Sequence, residues 1–468
     1  MKKHGLGCPR RCCGAATIWL GMSLLLAAGM AHGASGGTQG DRLHSLRIDG
    51  FYDPQHGFLE ATAMLRFEQP AGERRLWLAD GLKLSSARSD SCPVLDLTRE
   101  AGQFHLLCPD AVDLELSYSG RLDLDPFGEP GMAADGGRQI DECHVLSYIN
   151  DFYPHPELDF TSLEMNIGVP SGWNLLGSGA QRSVQTGGGR TAFQFANPGA
   201  KGVALVCGRF RQIGTVAGPL TIRLHAWEGF VLEHYFAAAE IGRIVDYYAA
   251  KLGPLATGEL NILFRRDGRL RGVSYSGLIV LNVDARWPLR ITQARFDALG
   301  EWPLALSEPG SDLLAHELAH QWWGGLVSWR NPTDNWITEG LATYCSLSYL
   351  RQNRGEQIYQ GALRRIRRWV KHFAASGTTS EGGKLKLPGR DGRAYQALVY
   401  AKPALMLAEL AVAIGTGELD RRLRAILESR RNRNLDASEF LTLLSAGDGR
   451  RLARLNEWIL AKGLPSPQ

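Results

Sequence analysis

SDLLAHELAHQWWGGLVSWRNPTDNWITEGLATY, residues Ser311 to Tyr344, contains His316-Glu317-Leu318-Ala319-His320 and, after eighteen intervening residues, a second acid, Glu339. The run from Leu313 to Trp323 is apolar enough to predict a buried helix, and Pro309-Gly310-Ser311 ahead of it supplies a stop and a Ser N-cap. Residues four apart share a helix face, so His316 and His320 can offer two imidazoles to one ion. Glu317 projects about 100° round the helix, where it can reach a water at that ion without ligating it. A third ligand is expected from a second helix, near Asn335 to Leu350, which carries Glu339. Two His and one carboxylate leave the fourth position of a zinc site open, which a catalytic site needs and a structural one does not. Zinc lowers the pKa of such a water from about 15.7 to about 7, and Glu317 can take its proton and pass it to a leaving amine. The bland alternative is two His on a solvated helix face. It is disfavoured by the flanks Leu313, Leu314, Leu318, Ala319, Trp322 and Trp323, because a carboxylate between two imidazoles in apolar surroundings is costly without a metal.

HELAHQWWGGLV followed by NWITEGLATY resembles the aminopeptidase N-type zinc metallopeptidases, gluzincins that also include the bifunctional leukotriene hydrolase. The family text is close to HExxHxWxGxLV, eighteen residues between the second His and the Glu, and WLxEGxAxY. The resemblance implies one Zn2+ ion held by His316, His320 and Glu339, with Glu317 as general base and a peptide or protein as substrate. It also implies a two-domain α and β fold, an N-terminal β-sandwich-like domain followed by a thermolysin-like α/β zinc peptidase domain.

The N-terminus reads as a secretory signal. Lys2, Lys3, Arg10 and Arg11 form a charged region, Ala15 to Met30 an apolar one, and Ala31-His32-Gly33 offers small residues for cleavage. The expected organisation is a signal over 1–33, a β-rich domain over 34–215 and a catalytic domain over 216–468, in a secreted or periplasmic protein. No later segment reads as a membrane span, so no transmembrane segment is expected in the mature chain. Losing the four positive charges takes the formal net charge from +4 to zero, and bulk charge then gives no reason to expect a nucleic-acid partner. Of eight Cys, Cys8, Cys12 and Cys13 leave with the signal. Cys92 and Cys108 flank a possible hairpin and can bridge in an oxidising compartment, while Cys345 reads as a small core residue. The sequence gives no oligomeric state.

From Arg42 to Ile213 short alternating runs such as LEATAMLRF, RLWLA, FHLLC and LELSYSGRL, separated by Gly, Pro and Asp, predict strands. Helical text begins near Phe230 and ends at Gly253-Pro254, and NILF (261–264) and GLIVLNV (277–283) read as buried strands. Between those strands the family has a Gly-x-Met-Glu-Asn signature, whose backbone holds substrate as an added strand and whose Glu grips the free amine. Here Gly272, Val273, Ser274, Tyr275, Ser276 and Gly277 occupy that place, and no carboxylate stands among them. Asp267, Asp284, Glu60 and Glu142 are the candidate substitutes. The missing acid leaves two further readings open, an endopeptidase or a non-peptide zinc hydrolase, and a scaffold that kept only the fold is a third.

GEQIYQGALRRIRRWVKHF (355–373) reads as a basic amphipathic helix with a solvated face, and Ala374 to Ala394 as a Gly- and Ser-rich loop. Tyr400-Ala401-Lys402-Pro403-Ala404 then resembles the family's Tyr-x-Lys-Gly-Ala signature, with Pro403 in place of Gly. The resemblance makes the Tyr400 hydroxyl the donor to the developing oxyanion, a group typically worth about 3–4 kcal/mol of barrier lowering. Tyr395 is the rival. LDASEFLTLLSAGDGRRLARLNEWILAKGLP closes the chain as two short helices.

Overall fold

The computed structural model describes residues 42–70, 73–90, 96–100, 103–107, 112–122, 143–156, 158–218, 220–231, 238–255, 258–265, 272–282, 311–373, 392–461 and 463–465. The signal segment, Cys92 and Cys108, three of the four candidate acids (Asp267, Asp284 and Glu142) and the loop at 374–391 lie outside the described residues.

The first part is β throughout: β1 (Leu43–Asp53), β2 (Phe58–Phe67), β3 (Glu73–Trp77), β4 (Leu82–Arg88), β5 (Asp96–Glu100), β6 (Gln103–Leu107), β7 (Asp113–Arg121), β8 (Cys143–Ser147), β9 (Phe160–Pro170), β10 (Asn174–Gly177), β11 (Ala180–Gly187), β12 (Arg190–Lys201) and β13 (Ala204–Gly208). Seven of these form one sheet in the order β11-β12-β9-β1-β2-β7-β4, flanked by three-stranded sheets β10-β13-β8 and β3-β6-β5. The period-2 pattern explains which face is inside: on β2, Leu59, Ala61, Ala63, Leu65 and Phe67 are buried and the residues between them are more open. They pack with Leu46, Ile48, Met165, Ile167 and Phe195 in one core.

The chain then enters a five-stranded sheet, β14 (Arg211–Val216), β15 (Thr221–Ala226), β16 (Glu259–Arg265), β17 (Gly272–Tyr275) and β18 (Leu278–Asn282), in the order β14-β15-β16-β18-β17. The division expected after residue 215 therefore runs through β14, and the change of sheet falls between Gly208 and Arg211. The three inner strands are parallel, with the apolar runs Ile262 to Phe264 and Leu278 to Leu281 buried as sheet covered on both faces requires, and both edge strands are antiparallel. Helices α1 (Ala238–Leu252), α2 (Ser311–Ala319), α3 (Trp336–Arg354), α4 (Glu356–Phe373), α5 (Gly392–Gln396), α6 (Lys402–Ile414), α7 (Thr416–Ser429), α8 (Ala437–Ser445) and α9 (Gly449–Leu460) complete this part, with a short parallel pair β19 (Val327–Trp329) and β20 (Arg433–Leu435). Asp436 and Asp448 cap α8 and α9, their carboxylates accepting from the amides of Glu439 and Arg451.

The two parts share a third apolar cluster, in which Cys143, Leu176, Val206 and Phe210 meet Leu263, Tyr275, Leu278 and Val280. Lys201 reaches across from β12, donating to Ser328 Oγ (2.9 Å) and to the Trp329 carbonyl (2.7 Å) while lying 3.8 Å above the Trp329 ring. Cys143, Cys207 and Cys345 are buried free thiols, Cys345 in the core as its apolar helix implied.

Two sequence expectations need correcting. The first ligand helix stops at Ala319 instead of running to Trp323. Gly324 takes φ 125°, a conformation costly for any residue with a Cβ, and the amides of Gly324 and Gly325 turn to the carbonyls of Val327 and His320. Ser311 is the first described residue of that helix. Second, Ala394–Ile414 is in fact long and apolar enough to cross a membrane, yet most of it is buried in the protein core. This stretch joins α5 to α6 through a π-helical turn, Ala397–Ala401, in which the Lys402 amide bonds back to the Ala397 carbonyl. A π-turn absorbs the backbone misfit just ahead of Pro403, which has no N–H to give to the preceding turn.

Candidate active site

His316 and Glu317 stand in the last turn of α2, and His320 follows immediately after it, still bonded through its amide to the His316 carbonyl (3.3 Å). Glu339 lies in the first turn of α3, which packs directly on α2. The two helices bring three acceptor atoms into one small triangle: His316 Nε2 to His320 Nε2 is 3.1 Å, and each Nε2 is 3.2 Å from Glu339 Oε2. Among the described residues this is the group of His, Cys, Asp and Glu arranged to hold a metal ion. The fit can be tested on its chemistry. His320 Nδ1 is 2.9 Å from the Trp323 carbonyl, so that nitrogen donates its proton there and Nε2 faces the triangle, free to ligate once it gives up any proton of its own. Three lone pairs aimed at one point in a buried pocket repel unless a cation or proton sits between them. Ligand atoms about 3.3 Å apart are what a tetrahedral ion with bonds of about 2.0–2.1 Å requires. The site fits one zinc ion.

The electrostatics agree. Burial works against the Glu339 carboxylate, but His320 and His316 more than offset it and bring its pKa down to about 2. Burial likewise opposes charge on His320, yet the Glu339 carboxylate raises it to about 9, while on His316 burial wins and the pKa falls. Glu317 is not a member of the triangle. It is 3% exposed, and burial pushes its carboxyl up to about 7 against the pull of His320.

Tyr400 and Tyr395 separate clearly. Tyr400, in the π-turn, lies 5.8 Å from the His316 ring at 25° and its hydroxyl hydrogen-bonds Glu339; burial raises its pKa well above the usual value. The Tyr395 hydroxyl instead accepts from Asn335 Nδ2 at 2.6 Å. Gly340, next to Glu339, has no room for a Cβ because Pro403 packs against it, which ties the helix bearing the third ligand to the one bearing the tyrosine.

The hexapeptide Gly272 to Gly277 forms edge strand β17 and the turn after it, with Gly272 opposite Leu281 and Tyr275 opposite Leu278. Its start adjoins the general-base candidate: a Cβ on Gly272 would stand 2.6 Å from Glu317 Oε1. Val273 and Ser274 are half-buried, Tyr275 and Ser276 buried. Glu60, the one candidate acid within the described residues, is exposed on β2 opposite Phe51 and Ser119. Sequence reasoning passed over Gln321, whose amide joins the turn after α2 to β17, and Tyr148, whose ring meets Tyr275 edge-on at 6.3 Å and feels the Glu339 charge. Gln321 adjoins the second His, but nothing in its own text marks its partners.

Residues 307–458 match the peptidase family M1 domain. The matched stretch holds His316, Glu317, His320, Glu339 and Tyr400. Leucine aminopeptidase 2 of Aspergillus niger is 32% identical over 171 residues, covering 33% of this chain and 27% of that protein. Probable aminopeptidase 1 of Sulfurisphaera tokodaii is 21% identical over 370 residues, 75% of this chain and 45% of the other. This chain spans only about a fifth to a quarter of the length of the first curated relatives. The crystal structure of an M1 zinc metallopeptidase from Deinococcus radiodurans superposes with a TM-score of 0.73 at 18% identity, covering 94% of this chain and 98% of the other. That likeness shows the two-domain fold, and the stretch matched by the family model includes the helices that carry His316 and Glu339.

Proposed function

We propose that this M1 chain is a zinc metallopeptidase that removes residues from the free N-terminus of peptides. The observation that carries the reading is the convergence of His316, His320 and Glu339 with Glu317 and Tyr400 beside them. The Deinococcus radiodurans M1 structures include one with a bound Tyr-Ser-Ala substrate, which supports a peptide as the ligand of this cleft. The N-terminal segment supports export, to the periplasm or outside the cell.

A zinc ion held by His316, His320 and Glu339 would supply a Lewis acid to the attacking water and the scissile carbonyl. Glu317 accepts the proton of that water and delivers it to the departing amine. The Tyr400 hydroxyl, already against the ligand set, donates to the oxygen that becomes negative as the carbonyl is attacked. The outer edge of β17 offers its backbone to an extended peptide, beginning at the glycine that abuts Glu317. Tyr400→Phe is therefore expected to lower kcat by about 10²–10³-fold with little change in KM, and Tyr395→Phe to change kcat far less. Steady-state kinetics on a chromogenic aminoacyl substrate checks this, and an unaffected rate in Tyr400→Phe removes the tyrosine from the mechanism.

One observation favours a second reading on the same chemistry. A carboxylate binds an ammonium about twice as strongly as a neutral group does, and Gly272 to Gly277 contains none. Comparing free with N-acetylated peptides separates the two. An aminopeptidase cleaves only the free ones, and equal cleavage of both makes this an endopeptidase.

A further inference from the structure

We propose that Gln321 is a positioning residue that sets the register between the peptide-holding edge strand and the catalytic helix. The inference rests on the zinc peptidase reading and concerns a residue that ligates nothing and touches no reacting atom.

Gln321 is 4% exposed, so its amide must find partners within the protein. All of them lie on one hairpin. Its Oε1 accepts from the Gly277 amide (2.9 Å), and its Nε2 donates to Ser274 Oγ (2.6 Å) and to the Tyr275 carbonyl (3.0 Å). Both protons of the NH₂ and one carbonyl lone pair are thus engaged, which fixes the direction of the amide as well as its place. The hairpin in question is β17, its turn and the start of β18, and the residue holding it follows His320 without a gap. One side chain therefore links the backbone that would hold substrate to the turn that bears a zinc ligand.

The other end of the same strand shows why the spacing matters. Gly272 lies so near the Glu317 carboxylate that a Cβ would meet Oε1 at 2.6 Å, Cδ at 2.8 Å and Cγ at 2.8 Å. The hairpin is thus in contact with α2 at Gly272 and bonded at Ser274, Tyr275 and Gly277 to the turn that follows α2. β17 is an edge strand, paired only with β18 among the described residues, so its sheet holds it from one side. The Gln321 amide supplies a hold that the sheet does not. A shift of β17 displaces a bound peptide relative to Glu317, and a displacement of about 1 Å is enough to cost roughly 100-fold in rate.

The experiment compares wild type with Gln321→Leu, which keeps the bulk and removes the amide, and with Ser274→Ala, which removes one partner. Five quantities are read: zinc per chain, Tm, kcat and KM on a peptide series of two to five residues, and amide hydrogen exchange at Gly277. The expected result for Gln321→Leu is one zinc per chain, faster Gly277 exchange, and a loss of kcat/KM of about 10–100-fold that grows with peptide length. Ser274→Ala should show a smaller loss of the same kind. Unchanged Gly277 exchange, or a loss of rate equal for all peptide lengths, overturns the proposal, and so does an equal fall of zinc and activity. Should Gln321→Leu fold poorly, Ser274→Ala decides alone, by whether its loss depends on peptide length. A wild-type protein without zinc or peptide cleavage sinks the peptidase reading instead, and the Gly277 exchange result still stands for the hairpin.

Discussion

Glu317→Gln will keep its zinc and lose its hydrolysis. The substitution leaves the three ligand atoms of His316, His320 and Glu339 untouched and replaces a carboxylate by an amide of nearly the same shape, in a space already bounded by Gly272. Zinc content should stay at one ion per chain and Tm should change little. What disappears is a base. Burial pushes the Glu317 carboxyl up to about 7, which makes it a better proton acceptor than an exposed carboxylate. An amide accepts no proton at any accessible pH. The expected fall in kcat is about 10²–10⁴-fold, the usual range for a positioned general acid-base group. Metal analysis beside steady-state kinetics checks both halves, and turnover near that of wild type removes Glu317 from the chemistry.

How much of this was legible before the structure depends on how far the decisive contacts reach along the chain. The metal triangle was readable because two ligands are four residues apart and the third sits at a fixed distance in an unmistakable text. The β-rich first part was readable because alternation such as Leu59, Ala61, Ala63 and Leu65 needs only neighbouring residues to be seen. Tyr400 could be preferred over Tyr395 from its lysine and the apolar run behind it. Other features depend on long-range partners. The departure from the family at Pro403 makes sense only beside Gly340, sixty-odd residues earlier, and with the π-turn that admits it. The early end of α2 is the local exception, set by the Gly324 and Gly325 amides turning to the Val327 and His320 carbonyls. Gln321 looked like filler between a ligand and a tryptophan, since its three bonds all go to the strand some forty-five residues upstream. The amine-binding group was illegible for a related reason. No acid stands in the usual stretch, and a replacement drawn from another strand or loop leaves no local pattern.

Removing the third ligand should have the other large effect, of a kind opposite to the loss of the base. In Glu339→Ala the two imidazoles remain on their turn, but the anion that completes the triangle is gone. Structural zinc sites in zinc-finger peptides bind with about 10–16 kcal/mol spread over four protein ligands. One ligand in four is accordingly worth roughly 10²–10³-fold in affinity, and dialysis at neutral pH should leave the variant largely zinc-free and inactive. The fold should survive. In the absence of metal the Glu339 carboxylate is what keeps His320 charged against the cost of burial. Once it is removed, His320 can lose its proton, and two neutral imidazoles carry no unpaired charge into the core. Because α2 and α3 also pack through Leu314, Leu318, Ile337 and Leu341, near-native circular dichroism is expected alongside the lost metal. Excess zinc should restore a fraction of the activity in Glu339→Ala and none in Glu317→Gln, and that contrast distinguishes a missing ligand from a missing base. Full zinc occupancy after dialysis with wild-type turnover would mean that the third ligand is another residue, and the triangle drawn by His316, His320 and Glu339 would then be an ion pair and nothing more.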